Sequence, residues 1–153
     1  MLKPTVGTGA SGISRLAPGD VATAMERVAG ESYLVQPMVD SVVTEGEWSF
    51  VFIAGEFSHA LLKKPGAGDY RTQGIYGGSV LSETAAADDI RQAEAILSAL
   101  PYELLYARLD LVRVDGRLAV MELELIEPIL YFDHAPGQVD RLAAATIAWA
   151  AKP

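Results

Sequence analysis

Cysteine is absent from this 153-residue sequence. Its absence excludes a secreted scaffold built on disulfides and agrees with a protein of the reducing cytoplasm. No apolar run approaches the ~18 residues that a membrane span needs, and no charged-then-apolar signal opens the chain. Basic residues are few, with 12 Lys and Arg against 20 Asp and Glu. The net charge of −8 argues against a nucleic-acid-binding surface, so we expect a cytoplasmic protein without nucleic-acid or membrane partners.

Apolar residues, in contrast, make up 50% of the chain, and charged residues make up 21%. A chain of this length and composition can bury one sizeable hydrophobic core, which excludes a disordered chain. The mean hydropathy of +0.22 is high for so small and acidic a protein. We therefore expect either unusually tight packing or an apolar surface that is normally covered, for example in a homodimer.

Hydrophobic periodicity and turn residues predict an α+β fold. Helices are predicted where apolar residues recur every three to four positions, and strands where they alternate with polar residues or form short runs. The predicted strands cover 2–6, 33–39, 48–53, 57–62, 102–114 and 117–126, and the predicted helices cover 20–29, 84–100 and 137–151. We expect 33–39 to be a buried strand and the cationic, glycine-rich segment 63–79 to be a loop.

The segment 104–125 predicts a β-hairpin with a defined register. Apolar and polar residues alternate along both strands, and facing residues of an antiparallel pair share one side of the sheet. A two-residue turn at Asp115-Gly116 would set the apolar residues of one strand opposite the charged residues of the other. A three-residue loop that includes Arg117 pairs residue 114 with residue 118 and brings the apolar sets together. We therefore predict the three-residue loop.

The predicted register brings four charged residues onto one face of the sheet, namely Arg108, Asp110, Glu122 and Glu124. Three neighbouring carboxylates repel one another, and protonation, water or cations must relieve that repulsion. Oxygen ligands at this density suit Mg²⁺ or Mn²⁺, which usually keep water molecules and substrate phosphates as further ligands. The alternative is the solvated polar face of an ordinary sheet, and the spacing leaves it open.

Two glycine-rich segments suggest phosphate binding. The segment 7–12 formally matches the G-x-G-x-x-G pattern, but Pro18-Gly19 interrupts the chain before any helix begins. Consecutive backbone N–H groups in such a loop can still hold phosphate oxygens, and Lys3 lies just before it. The second segment carries Lys63, Lys64 and Arg71. The alternative interpretations are a flexible connection for the first segment and ordinary solubility charge for the second.

Six sequence features occur in an order that resembles the ATP-grasp superfamily, in particular the branch with glutathione synthetase, the ribosomal-protein glutamate ligase and the cycloserine-biosynthesis ligase. These features are Lys3-Pro4 with the glycine loop, Gln36-Pro37, Gly46-Glu47-Trp48-Ser49, Lys63-Lys64, Arg71-Thr72-Gln73 with Gly77-Gly78, and Arg108-Leu109-Asp110 with Met121-Glu122-Leu123-Glu124. The resemblance implies an ATP-grasp-like antiparallel sheet with packed helices. It also implies that 1–153 is the C-terminal portion of an ATP-grasp domain, with the upstream substrate domain and the start of the first lobe outside it.

The resemblance further implies which residues bind ATP. The implied residues are Lys3, Gly9, Ser11 and Gly12 at the phosphates, Gln36, Pro37, Met38 and Val39 against adenine, Glu47 at the ribose with Glu45 as its competitor, and Lys63 or Lys64 at the phosphates from the second lobe. The implied metal ligands are Asp110, Glu122 and Glu124, and the implied catalytic residues are Arg108 and Arg71, which would neutralise charge near the transferring phosphoryl group. Glu124 departs from the family pattern, because most members have asparagine there.

Ligases of this superfamily phosphorylate a substrate carboxylate with ATP, and an amine then displaces phosphate from the acyl phosphate. The resemblance therefore implies an ATP- and Mg²⁺- or Mn²⁺-dependent carboxylate–amine or carboxylate–thiol ligase with small carboxylate and amine substrates. The protein's share is positioning and charge neutralisation, which agrees with the absence of Cys. We expect little ligase activity from this chain alone. The alternatives are a non-catalytic nucleotide-binding module of the same fold and a protein-interaction module.

Overall fold

The computed structural model describes residues 1–7, 9–72 and 74–152. Thr8 of the glycine loop and Gln73 of the Arg71-Thr72-Gln73 motif lie outside the described residues. The chain divides into two compact units, Met1–Asp40 and Ser41–Pro153. No helix among the described residues is both long enough and apolar enough to cross a membrane.

The first unit contains β1 (Leu2–Pro4), α1 (Val21–Arg27) and β2 (Tyr33–Val35). Strands β1 and β2 pair antiparallel, with Lys3 opposite Leu34. The prediction of a buried strand over 33–39 is wrong, because β2 ends at Val35 and the side chains of Leu34 and Val35 are more than half exposed. The physical reason is that Pro37 has no N–H to donate to a sheet.

The second unit contains most of the regular structure. Its elements are α2 (Ser41–Thr44), β3 (Glu47–Ile53), β4 (Glu56–Lys64), β5 (Ser79–Glu83), α3 (Ala87–Ser98), β6 (Tyr106–Val114), β7 (Arg117–Glu124) and α4 (Gln138–Ala150). Among the described residues, the strands form an antiparallel sheet in the order β5-β4-β3-β6-β7. The predicted α+β class is confirmed. Strand β5 was not predicted, since it directly follows the glycine-rich segment assigned to a loop.

One face of this sheet carries the hydrophobic core. Phe50 and Phe52 of β3 and Leu109 of β6 are buried there, and Ala93 and Leu97 of α3 pack against them. The residues from α3 come from the apolar stripe that predicted this helix. Because successive strand residues point to opposite faces, burial of this set fixes which side chains of β3, β4, β6 and β7 lie on the other face.

The β6–β7 turn differs from the prediction, but the register beyond it does not. Val114 pairs with Arg117, so the turn has two residues, and both have positive φ, 49° at Asp115 and 77° at Gly116. This is the conformation of a type I′ turn, which suits the twist of a hairpin. The register then shifts after Asp110, which faces Glu122, and this β-bulge leaves Met121 as the extra residue. The prediction of a three-residue loop is therefore wrong, because the extra residue lies in the bulge and not in the loop.

Candidate functional site

The polar residues of the second unit converge on the face of the sheet opposite the core. Asp110 of β6 lies between Ser49 of β3 and Glu122 of β7. In the adjacent row, Arg108 faces Glu124. The pairing of four strands thus brings together side chains from β3, β4, β6 and β7, because the row beyond Ser49 adds the pair Glu47 and Lys63.

Asp110 is at the centre of this cluster and is only 1% exposed. Its Oδ1 accepts hydrogen bonds from Ser49 Oγ at 2.5 Å and Arg108 Nε at 3.1 Å. Its Oδ2 accepts from Arg108 Nη2 at 2.9 Å and lies 3.1 Å from Lys63 Nζ. Burial alone would raise the pKa of Asp110, but Lys63 and Arg108 hold this pKa below its usual value. A carboxylate offers about four acceptor positions, so these donors use all of them.

Lys63 is buried between two carboxylates. Its Nζ forms ion pairs with Glu47 Oε1 and Asp110 Oδ2. Burial favours the neutral amine, yet Glu47 and Asp110 raise the pKa of Lys63 above its usual value, so Lys63 is a cation. Burial raises the pKa of Glu47, and Lys63 only partly opposes this effect. The next residue, Lys64, is exposed, so Lys63 is the lysine of this pair that lies in the cluster.

Arg108 connects the cluster to the segment that follows β7. Its Nη2 lies 2.6 Å from Glu124 Oε1, and its Nη1 donates to the Ile129 carbonyl at 2.8 Å. Its guanidinium carbon lies 5.5 Å from the centre of the Tyr131 ring. The guanidinium is therefore buried, and its contacts to Asp110, Glu124, the Ile129 carbonyl and Tyr131 hold it on several sides.

The three predicted metal ligands lie together. One carboxylate oxygen from each of Asp110, Glu122 and Glu124 falls within 4.8 Å of the others, while oxygens around one Mg²⁺ lie about 3 to 4 Å apart at bond lengths of ~2.1 Å. Glu47 adds a fourth carboxylate, and the ion pairs of the described residues place Lys63 and Arg108 beside this group, so the formal charge of these six side chains is −2. The oxygen atoms and the negative charge of this cluster fit a divalent cation. Exposed Glu122 and half-buried Glu124 can reach such a cation, whereas Asp110 must first lose one of its hydrogen-bond donors.

Other predicted ATP-binding residues belong to the first unit. Lys3 lies on β1, and the loop with Gly9, Ser11 and Gly12 follows it. Backbone hydrogen bonds of 2.8 and 2.9 Å between Leu2 and Ser14 close this loop. Gly9 and Gly12 have φ of 60° and 74°, which glycine adopts without strain.

The predicted adenine segment begins directly after β2. The Gln36 N–H donates to the Met1 carbonyl at 3.0 Å, and the Met1 ammonium donates to the Gln36 carbonyl at 2.7 Å. Pro37 is exposed, whereas Met38 and Val39 are half-buried. The roles of all these residues toward ATP stay predictions.

Arg71 makes its contacts within its own loop. Its Nε and Nη2 donate to Asp69 Oδ1 and Oδ2 at 3.0 and 2.7 Å, and its guanidinium stacks 3.5 Å from the Tyr76 ring centre. The hydrogen bonds from Arg71 lower the pKa of Asp69. Among the described residues, Arg71 thus contacts an aspartate and tyrosines rather than the carboxylate cluster, and its catalytic role stays a prediction.

Glu45, the competitor of Glu47, has a different environment. Its Oε1 accepts from Trp48 Nε1 at 2.7 Å, and Arg113 Nε donates to both of its oxygens at 3.1 and 3.2 Å. Glu45 is thus committed to an ion pair outside the Lys63 cluster.

Sequence reasoning gave no role to two neighbours of the charged cluster, Ser49 and Tyr131. Ser49 follows Glu47 by two positions, so the alternation along β3 could have placed it on the same face as Asp110. Tyr131 lies in an irregular segment without periodicity, and no local pattern indicates that it packs against Arg108.

No family model matches the chain. The cycloserine biosynthesis protein DcsG of Streptomyces lavendulae is 30% identical over 161 residues, which cover 95% of this chain and 53% of that protein. The crystal structure of D-cycloserine synthetase DcsG matches with a TM-score of 0.83 at 29% identity, over 96% of this chain and 54% of that one.

Two further solved structures share the fold. D-alanine–D-alanine ligase from Bacillus anthracis matches with a TM-score of 0.64 at 18% identity, over 96% of this chain and 52% of that one. The ATP-grasp ligase PsnB, complexed with precursor peptide PsnA2 and AMPPNP, matches with a TM-score of 0.59 at 19% identity, over 95% of this chain and 46% of that one. At these identities the likeness concerns the fold alone. The chain spans about half the length of the relatives it matches.

Proposed function

Because this chain has the ATP-grasp fold and shares ancestry with a synthetase, we propose that it is the ATP-binding portion of an ATP-dependent ligase. The reaction is the joining of a carboxylate to an amine or thiol through an acyl phosphate. In this proposal 1–153 is the C-terminal portion of an ATP-grasp domain, and the substrate domain lies outside it. The observation that carries the proposal is the buried network of Lys63, Asp110 and Arg108 beside the carboxylates of Glu122 and Glu124.

Phosphoryl transfer to a carboxylate requires positioning and charge neutralisation. Bound Mg²⁺ or Mn²⁺ would supply part of that neutralisation, held by Glu122 and Glu124 and by Asp110 once a donor of Asp110 moves. Arg108 has five N–H donors, and its contacts to Asp110, Glu124 and the Ile129 carbonyl account for four. We assign the fifth to the transferring phosphoryl group.

Lys63 contributes in the same way. Its ammonium has three donors, and Glu47 and Asp110 take two of them. We assign the third to an ATP phosphate. Since the buried carboxylate of Asp110 holds both cations before substrate binds, little reorganisation is needed when charge develops.

The remaining parts of the proposal concern ATP itself. In the first unit, we assign Lys3 and the loop of Gly9, Ser11 and Gly12 to the phosphates, and the segment Gln36, Pro37, Met38 and Val39 to adenine. In the second unit, we assign Glu47 to the ribose and Arg71 to neutralising charge near the transferring phosphoryl group.

A non-catalytic nucleotide-binding module is the second candidate. The observation that favours it is that the acceptor positions of Asp110 are already filled by Ser49, Arg108 and Lys63. A site of this kind could bind ATP through its cations without holding a metal through Asp110. Phosphate release in the presence of carboxylates and amines separates the two candidates.

The test is calorimetric titration of the chain with ATP, with and without Mg²⁺. We expect Mg²⁺ to strengthen ATP binding, and Glu122→Gln to weaken Mg–ATP binding by about tenfold or more, since tenfold corresponds to ~1.4 kcal/mol. Glu94→Gln, an exposed carboxylate on α3, is the matched control and should bind like the unaltered chain. Asp110→Asn is a poorer variant, because it leaves Lys63 and Arg108 less compensated in a buried site. Equal affinities with and without Mg²⁺, or in both variants, would contradict the metal assignment.

A further inference from the structure

The segment 127–134, here named the strap, lies over the polar face of the sheet. It contacts three strands, since the Ile129 carbonyl accepts from Arg108 of β6, the Leu130 carbonyl contacts His59 of β4, and the His134 carbonyl accepts from Ser82 of β5 at 3.2 Å. Its backbone conformation carries a cost, because Glu127 and Tyr131 have φ of 55° and 53°. Non-glycine residues persist in this region only when surrounding contacts impose it.

His59 is the contact of the strap in β4. Its Nε2 lies 2.9 Å from the Leu130 carbonyl oxygen, and this oxygen can only accept, so Nε2 carries the hydrogen. Its Nδ1 lies 2.9 Å from Ser58 Oγ. Burial lowers the pKa of His59, and the hydrogen bond to Leu130 partly opposes this effect. The Phe132 ring packs 6.3 Å from the imidazole centre.

The register of the sheet relates His59 to Arg108. Val51 of β3 pairs with His59 on one side and with Arg108 on the other. Their side chains therefore stand on the same face, two strand spacings or about 10 Å apart. They bind the carbonyls of two consecutive residues, Leu130 and Ile129. The next residue is Tyr131, whose ring packs against Arg108.

We propose that His59 is a positioning residue for Arg108. Its hydrogen bond to Leu130 fixes the strap, and the strap presents the Ile129 carbonyl and the Tyr131 ring that orient the guanidinium. The importance of this role for catalysis rests on the proposed function, in which Arg108 contacts the phosphoryl group. The mechanical coupling between His59 and Arg108 does not depend on that function.

The test measures rotation of the Arg108 guanidinium about its Nε–Cζ bond by ¹⁵N-exchange NMR of the chain without nucleotide. His59→Gln places an amide N–H where Nε2 was, so it can still donate to Leu130, whereas His59→Asn is too short. We expect rotation about tenfold faster in His59→Asn and near the original rate in His59→Gln. Leu97→Ala is the control for stability, because it creates a cavity on the opposite face of the sheet and should leave the rotation rate unchanged.

Three results would overturn the proposal: an unchanged rotation rate in His59→Asn, equal acceleration in both His59 variants, or equal acceleration in Leu97→Ala. If His59→Asn does not fold, the ¹⁵N signals of His59 in the unaltered chain decide, since an Nδ1–H tautomer excludes the bond to Leu130. Calorimetry with Mg–ATP on the same samples separates this proposal from the proposed function. Absence of binding by the unaltered chain would contradict the function and leave the NMR comparison intact.

Discussion

Replacing Gly46 by alanine should destabilise the protein more than a typical glycine substitution. Gly46 directly precedes β3 with φ of 122°, and an added Cβ would lie 2.7 Å from the Lys63 carbonyl oxygen and 2.9 Å from Leu62 Cδ1. A φ this far outside the left-handed helical region costs a non-glycine residue ~1–3 kcal/mol, and forced overlap in a packed site costs ~1–3 kcal/mol more. The unfolding free energy should therefore fall by about 2–6 kcal/mol. Because the clash is with the backbone of Lys63, its relief should also move Lys63 away from Glu47.

Urea denaturation measures the first effect, with Gly55→Ala as the matched control. Gly55 also has positive φ, 80°, but its added Cβ would meet nothing within 4 Å, so only the backbone cost of ~1–2 kcal/mol applies. Calorimetry with Mg–ATP measures the second effect, and we expect weaker binding in Gly46→Ala alone. Equal losses of stability in the two variants would refute the reasoning, because they would show that the close approach of Gly46 to β4 imposes no constraint.

Two further predictions concern Arg113 and His59. Arg113 Nη2 donates to Asp89 of α3 at 2.8 Å while its Nε binds Glu45, and Arg113→Lys cannot serve both carboxylates. We expect urea denaturation to show a loss of about 1–3 kcal/mol, and unchanged stability would contradict the bridge. Burial and His134 lower the pKa of His59 in the folded chain. The unfolded chain therefore binds a proton at His59 more readily than the folded chain does. Stability should fall as the pH drops from about 6.5 through the folded-state pKa. His59→Gln should remove this component, whereas identical pH profiles would show that His59 does not contribute it.

The β6–β7 hairpin shows which features the sequence determines. Alternation predicted the pairs Arg108 with Glu124 and Asp110 with Glu122, because a slip by one residue would bury charges in the core. The predicted length of the turn was wrong, since the Asp115-Gly116 pair strongly favours a two-residue loop. The two-residue turn favours a register in which Val114 pairs with Arg117, whereas burial of the apolar residues favours a register shifted by one residue. The bulge at Met121 allows both, because it shifts the register between the turn and Asp110. The alternation of apolar and polar residues therefore predicts which face of the sheet a side chain lies on more reliably than it predicts the turn length or the position of a bulge.

The candidate site shows the limit of local patterns more clearly. Lys63 and Lys64 are neighbours, and their sequence environment does not separate them. Only the pairing of β3 with β4, which sets Glu47 opposite Lys63, determines which of them points toward Asp110. The strap lacks periodicity altogether, so the contacts of Arg108 with Ile129 and Tyr131 require the tertiary structure.

Glu124, where the sequence resemblance implies asparagine, changes the electrostatics of the cluster. With asparagine at this position, the carboxylates would exceed Lys63 and Arg108 by one charge, and with glutamate the excess is two. Glu124 directs part of this charge at Arg108, at 2.6 Å, rather than only at solvent. Arg108 then divides its donors between Asp110 and Glu124, while Asp110 also pairs with Lys63. In the proposed function a divalent cation would offset this excess of negative charge, so glutamate at position 124 is compatible with the proposed metal site.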